Sequence, residues 1–132
     1  MIRLWFVPWV VLLAACAREP IEGPDRGRTV YATHCASCHQ RNGQGLGEVQ
    51  PALAGSVTVN GDPDALVAWV MYGDRPSTLQ KRRGLAVMPQ FFWLADEDLA
   101  AVLTYTRQSF GNAAEAVEPT LVTGIREDRG RP

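Results

Sequence analysis

The chain has 132 residues, which suits one small domain, and its 46% apolar content fits a globular core rather than extended disorder. Thirteen basic side chains against fourteen acidic ones give a formal net charge of -1, so charge alone excludes a nucleic-acid binder. Three cysteines are an odd number, so they cannot all pair with one another.

Met1-Ile2-Arg3 is a short positive start, followed by an apolar run over residues 4–15 broken only by Pro8. That run is too short to span a bilayer and has the layout of a secretory signal, so residues 1–15 read as a signal peptide. It ends Leu13-Ala14-Ala15-Cys16, which resembles a bacterial lipobox with Cys16 as the lipidated residue. Ordinary cleavage after Ala15-Cys16-Ala17 is the alternative, and it releases a soluble periplasmic protein. Residues 16–26 then form a lipidated N-terminus and a flexible tether, rich in charge and carrying Pro20, Gly23 and Pro24.

Residues 27–33 suit a short helix with Val30 and Tyr31 inward. Gly27 lies four residues before Tyr31, on the same face, and lets a second helix backbone come close. The string Cys35-Ala36-Ser37-Cys38-His39 follows. Two cysteines separated by two residues, with histidine next, form the attachment signature of c-type haem. Each thiol forms one thioether bond to the porphyrin, and His39 supplies an axial nitrogen to the iron. A redox-active C-x-x-C pair needs a surrounding βαβ pattern, which is absent. A zinc site needs a second ligand pair, and no cysteine or histidine follows His39. His34 reads as a surface or loop histidine.

Residues 40–55 hold Gly43, Gly45, Gly47, Gly55 and Pro51, the composition of a loop that bends tightly over a porphyrin face. A ligating histidine wants its second ring nitrogen fixed by an acceptor, and the Pro51 carbonyl is a candidate. A plain turn residue is the alternative for Pro51. Leu53 is expected to pack on the porphyrin. Asp62-Pro63-Asp64 starts a helix over residues 65–72, with Leu66, Trp69 and Val70 inward and Gly73 as its stop. Trp69 reads as core, with an electron-transfer role for its indole as the alternative.

Residues 74–87 form a polar loop with the basic cluster Lys81-Arg82-Arg83, either solvated or steering an acidic partner. Met88-Pro89-Gln90-Phe91 comes next, 49 residues beyond His39. The Met88 thioether is a soft ligand suited to iron opposite a histidine, and Pro89 keeps the segment out of a helix. Met71, inside the preceding helix, reads as gap-filling core. Residues 94–110 give the strongest helix, with Leu99, Val102, Leu103 and Phe110 as its apolar stripe and Asp96, Glu97 and Asp98 at its positive end. Residues 113–132 read as an extended C-terminal tail.

Taken together, Gly27, Tyr31, the haem string, Pro51-Ala52-Leu53-Ala54-Gly55, Met88-Pro89-Gln90-Phe91, Val102 and Tyr105 make the chain resemble a class I mono-haem cytochrome c. Ser109-Phe110-Gly111-Asn112 and the run to Ile125-Arg126 further resemble the last haem domain of cytochrome subunits serving membrane-bound alcohol and sugar dehydrogenases. The resemblance implies an all-α small cytochrome c fold over residues 27–112, three to four helices around one covalently bound haem. It also implies that the first and last helices cross near Gly27, Tyr31, Val102 and Tyr105. Ala95 departs from the pattern, since relatives usually carry a capping hydroxyl there; its loss costs about 1 kcal/mol unless Asp96 caps instead.

These residues point to an electron carrier and not an enzyme, with His39 and Met88 both holding the iron. The expected partners are a redox donor and acceptor, a dehydrogenase or an oxidase, with no nucleic acid. The expected place is the periplasmic side of a bacterial membrane, anchored through Cys16. A haem subunit fixed in a dehydrogenase or oxidase complex is the first rival. A haem peroxidase or gas-binding protein is the second, and it needs an open distal face with a base, for which only His34 is spare.

Overall fold

A computed structural model describes residues 23–47, 49–79 and 87–130. The export segment, Cys16, most of the tether and the Lys81-Arg82-Arg83 cluster lie outside those residues. Within them the secondary structure is helical: α1 (Pro24–His34), α2 (Ala36–His39), α3 (Val57–Asn60), α4 (Pro63–Tyr72), α5 (Asp96–Gln108) and α6 (Pro119–Asp128). One isolated antiparallel bridge joins Leu46 to Gln50. The all-α expectation holds, with four longer helices and two single turns.

The frame is the crossing of α1 over α5. A Cβ on Gly27 would collide with the Ala101 carbonyl and lie 2.8 Å from the Tyr105 Cβ, so only glycine admits this approach. Around the crossing, the Tyr31, Tyr105 and Phe110 rings contact one another, with centroids 5.2 to 5.6 Å apart. Such tilted and edge-on pairs contribute beyond their buried area. Arg26 pairs with Asp98 at 2.7 Å beside them. Gly27, Tyr31 and Tyr105 therefore meet at the crossing as expected, with Ala101 taking the closest contact.

α4 begins as its sequence dictates. The Asp62 carboxylate accepts from the Asp64 N–H at 3.1 Å, Pro63 opens the first turn, and Gly73 ends the helix in a left-handed conformation at φ 77°. Leu66, Val67, Val70 and Met71 are buried in the core, so Met71 is packing as expected. α5 buries Leu99, Ala100, Val102 and Leu103. Its first residue is Asp96, and Ala95 makes no side-chain cap. Asp96 does not replace that cap: its carboxylate is taken by Arg126 and Thr123 of α6, at 2.9 and 2.6 Å.

The expected extended tail over residues 113–132 is corrected. Residues 113–118 are extended, held by Ala114 N–H to the Arg107 carbonyl at 3.0 Å and by the Thr104 hydroxyl, which accepts from Val117 N–H at 2.9 Å. Then α6 runs over ten residues and packs on α5 and α4. Val122 is fully buried, with Leu121 and Ile125 partly so. Three apolar residues on one face are enough because α5 and α4 supply the opposite surface; tertiary burial, not propensity, makes this helix.

Candidate functional site

α1 continues into the haem string with a break at Cys35, whose N–H still bonds the Tyr31 carbonyl at 2.9 Å. One further turn, α2, carries Cys38 and His39 inward. Cys35 and Cys38 are not joined in a disulfide and are partly buried, and His39 is buried. Burial, helped by the neighbouring Cys38, pushes the Cys35 thiol up to about 11. Burial also pulls the His39 imidazole below its ordinary value, against the pull of the Pro51 carbonyl.

The loop after α2 folds back under the histidine. Gly45, at φ 65°, bonds the His39 carbonyl through its N–H at 3.0 Å, and a Cβ there would sit 2.7 Å from the Pro51 carbonyl group. The absence of that Cβ brings Pro51 beneath the ring, and His39 Nδ1 lies 3.0 Å from the Pro51 oxygen. A backbone carbonyl can only accept, so Nδ1 carries the proton and Nε2 keeps its lone pair.

Cys35, Cys38, His39, Pro51, Leu53 and Met88 all line one cavity of about 720 Å³. Its remaining wall is mostly apolar, including Val59, Leu66, Val70, Leu94, Leu99 and Leu103. The size falls in the range of cofactor pockets, about 300–1,000 Å³. Met88 is partly buried, on a segment fastened to α4 by Phe91 N–H to the Val70 carbonyl (3.0 Å) and the Gln90 amide to the Tyr72 carbonyl (2.7 Å). Trp69 lines the same cavity and is only partly buried, with the Arg75 guanidinium 5.8 Å from its ring centroid. His34 ends a helix rather than sitting in a loop, and its ring stands edge-on to Trp93 at 5.2 Å.

Two buried polar residues organise the walls and were not singled out by the sequence reading. Asn112 donates to the Leu53 and Thr106 carbonyls, at 3.0 and 2.8 Å, and its oxygen accepts from Gly55 N–H and the Asn60 amide, both at 2.8 Å. Arg107, on α5, donates to the Val59, Gly61 and Glu115 carbonyls at 2.7 to 3.0 Å. Asn112 follows the Phe110-Gly111 pair, both at positive φ, and that turn was its local signal. Arg107 sits within an apolar helix face, which gives no sign of its carbonyl partners.

The donor set fits a covalently held porphyrin. Two thiols, an imidazole with a free nitrogen and a thioether share a pocket whose other walls are mostly apolar. A small helical domain closed around such a pocket is a haem-carrying electron-transfer domain. Residues 24–109 match the family model described as Cytochrome c, and the chain belongs to that family. It therefore carries c-type haem, covalently attached and containing iron, in a domain of an electron-carrying family.

The relatives include the gluconate 2-dehydrogenase cytochrome c subunit of Pantoea cypripedii, 34% identical over 77% of this chain and 24% of that protein. The fructose dehydrogenase cytochrome subunit of Gluconobacter japonicus is 33% identical over 76% of this chain and 22% of that protein. Cytochrome c-552 of Thermus thermophilus is 37% identical over 66% of this chain and 70% of that protein. The chain thus spans about a quarter of the length of these two dehydrogenase subunits.

Proposed function

We propose that the chain is a periplasmic electron relay in which Cys35 and Cys38 hold the haem, His39 and Met88 bind its iron on opposite faces, and Pro51 and Leu53 support the histidine side. The hydrogen bond from His39 Nδ1 to the Pro51 carbonyl carries this reading, because it frees Nε2 for the metal and fixes the ring. When bound, the haem supplies a single-electron couple between ferric and ferrous iron, and methionine opposite histidine raises its potential. The chain's own residues orient the imidazole, offer the thioether and surround both with hydrocarbon. With His39 and Met88 both holding the iron, no open position would be left for a substrate. That counts against the peroxidase and gas-binding reading.

The test is ligand uptake. Reduced protein at neutral pH should bind carbon monoxide poorly, and the Met88→Ala protein should bind it readily. Ready uptake by the unaltered protein overturns the Met88 assignment.

The donor is proposed to be a membrane-associated dehydrogenase, with electrons passing on to the respiratory chain. Support comes from the relatives, three kinds of which are cytochrome subunits of gluconate, alcohol and fructose dehydrogenases. The anchor is proposed at Cys16, after removal of residues 1–15, with the tether before α1 as its leash. Among the described residues no helix is long and apolar enough to cross a membrane. Mass measurement of the mature N-terminal peptide decides the anchor: a diacylated Cys16 supports it, and a free Cys16 thiol or a mature N-terminus at Arg18 overturns it.

A further inference from the structure

α6 makes two contacts that its burial does not require. Arg126, whose side chain is 15% exposed, spreads its guanidinium over one strip of chain. It donates to the Phe92 carbonyl, to the Leu94 carbonyl at 2.9 Å and to the Asp96 carboxylate at 2.9 Å. Arg129, three residues on and so on the same face, pairs with Asp74 and lies 5.2 Å over the Tyr72 ring. Tyr72 and Asp74 stand where the chain leaves α4; Phe92, Leu94 and Asp96 stand where it enters α5. Met88 lies between those two points, four residues before Phe92. One face of α6 therefore grips both ends of the segment that carries Met88.

We infer that α6 is a clamp that positions the Met88 thioether, with Arg126 as its main positioning residue; this rests on the axial-ligand assignment made above. The guanidinium suits the task because one planar fork fills three acceptors at once and stays charged. Hydrogen bonds from a charged donor are stronger than neutral ones, and here those to Leu94 and Asp96 are partly buried. The strip needs such a hold. Ala95 leaves α5 without a cap; among the described residues the segment's other hydrogen bonds to the frame run to α4, through Gln90 and Phe91, and Trp93 adds only a ring contact with His34 of α1. Releasing Arg126 frees Phe92 to Asp96 on the α5 side and lets the thioether leave the iron more often. The clamp changes how tightly the ligand is held, not which ligand is used.

The experiment uses the full haem-loaded protein. Imidazole is titrated into the ferric form and followed by loss of the thioether-to-iron charge-transfer absorption. Added imidazole binds only when the thioether is off, so its apparent dissociation constant falls in proportion to the open fraction. Arg126→Ala should bind imidazole about tenfold more tightly than the unaltered protein. Arg126→Lys keeps the charge beside Asp96 but cannot span both carbonyls, and it should fall between the two. Should Arg126→Ala not accumulate as folded protein, Arg126→Lys alone decides the matter. Unchanged imidazole affinity in either folded variant overturns the clamp. Met88→Ala separates the two readings: if it keeps the absorption, the ligand assignment fails and the clamp with it. If it loses the absorption while the Arg126 variants bind like the unaltered protein, the clamp alone fails.

Discussion

Gly27→Ala tests whether the helix crossing sets the fold. The added methyl meets backbone, the Ala101 carbonyl, as well as the Tyr105 Cβ at 2.8 Å. Neither atom is the tip of a flexible side chain, so α1 and α5 must separate. Overpacking of this kind costs about 3 kcal/mol, while alanine in place of a helical glycine returns about 1 kcal/mol. The net is a loss of about 2 kcal/mol, or a fall in Tm of about 8–16 °C for a domain of this size. The loss spreads because Tyr31, Tyr105, Phe110 and the Arg26–Asp98 pair all sit on the same crossing. Gly124→Ala in α6 is the internal control. Its Cβ meets nothing within 4 Å, so it should gain about 0.5–1 kcal/mol from propensity alone. Thermal and denaturant unfolding of the haem-loaded proteins measures both. A Gly27→Ala protein within about 0.5 kcal/mol of the parent, a change expected only away from such contacts, refutes the crossing argument.

Asn112→Ala removes both donors and the acceptor from a buried junction, leaving the Leu53 carbonyl and Gly55 N–H short of partners. A loss of about 2–3 kcal/mol is expected in denaturant unfolding, larger than for an exposed asparagine. Tyr31 supplies a pH prediction. Burial, with a smaller push from Tyr105, holds its hydroxyl well above the usual tyrosine range. A raised folded-state pKa means the protonated hydroxyl contributes fully below the unfolded value and the contribution is lost as pH rises. Stability should therefore fall above pH ~10, by about 1.4 kcal/mol per unit from this group. Tyr31→Phe should lose about 1 kcal/mol at neutral pH, through its 2.6 Å bond to the Gln40 carbonyl, and show a shallower alkaline decline. An equal alkaline slope in the two proteins refutes the assignment.

Local chemistry made much of this readable. The α4 boundaries follow from Asp62, Pro63 and Gly73, because capping and a left-handed stop are decided within a few residues. The grouping of Cys35, Cys38 and His39 on one cavity was readable because their spacing places them within about one turn. α6 was hidden for the opposite reason. Its three apolar residues say little without the surface of α5 and α4, and Gly124 and the acidic run Glu127-Asp128 resemble a tail. Pro119 after Glu118 was a usable start signal. Arg107 and Arg126 were invisible because their partners are backbone carbonyls far along the chain, 32 to 48 residues away for the Leu94 and Val59 bonds, and composition carries no trace of a carbonyl.

The cavity sets how the chain can fold at all. Its walls, from α1, α2, α4, α5 and the two loops, enclose about 720 Å³ that side chains do not fill. Apolar walls with nothing between them lose packing partners and face water. A domain's whole stability is only about 5–15 kcal/mol. The aromatic crossing on one side and α6 on α4 and α5 on the other are then the chain's own support for those walls. On the proposed attachment at Cys35 and Cys38, the porphyrin forms the middle of the core, and attaching it is a folding event as well as a functional one. A Cys35→Ala, Cys38→Ala protein purified free of haem should have lost most of its helical circular dichroism and its cooperative thermal transition. Helix content and cooperativity matching the haem-loaded parent would show that the walls stand without a filling group, and the reasoning would fail.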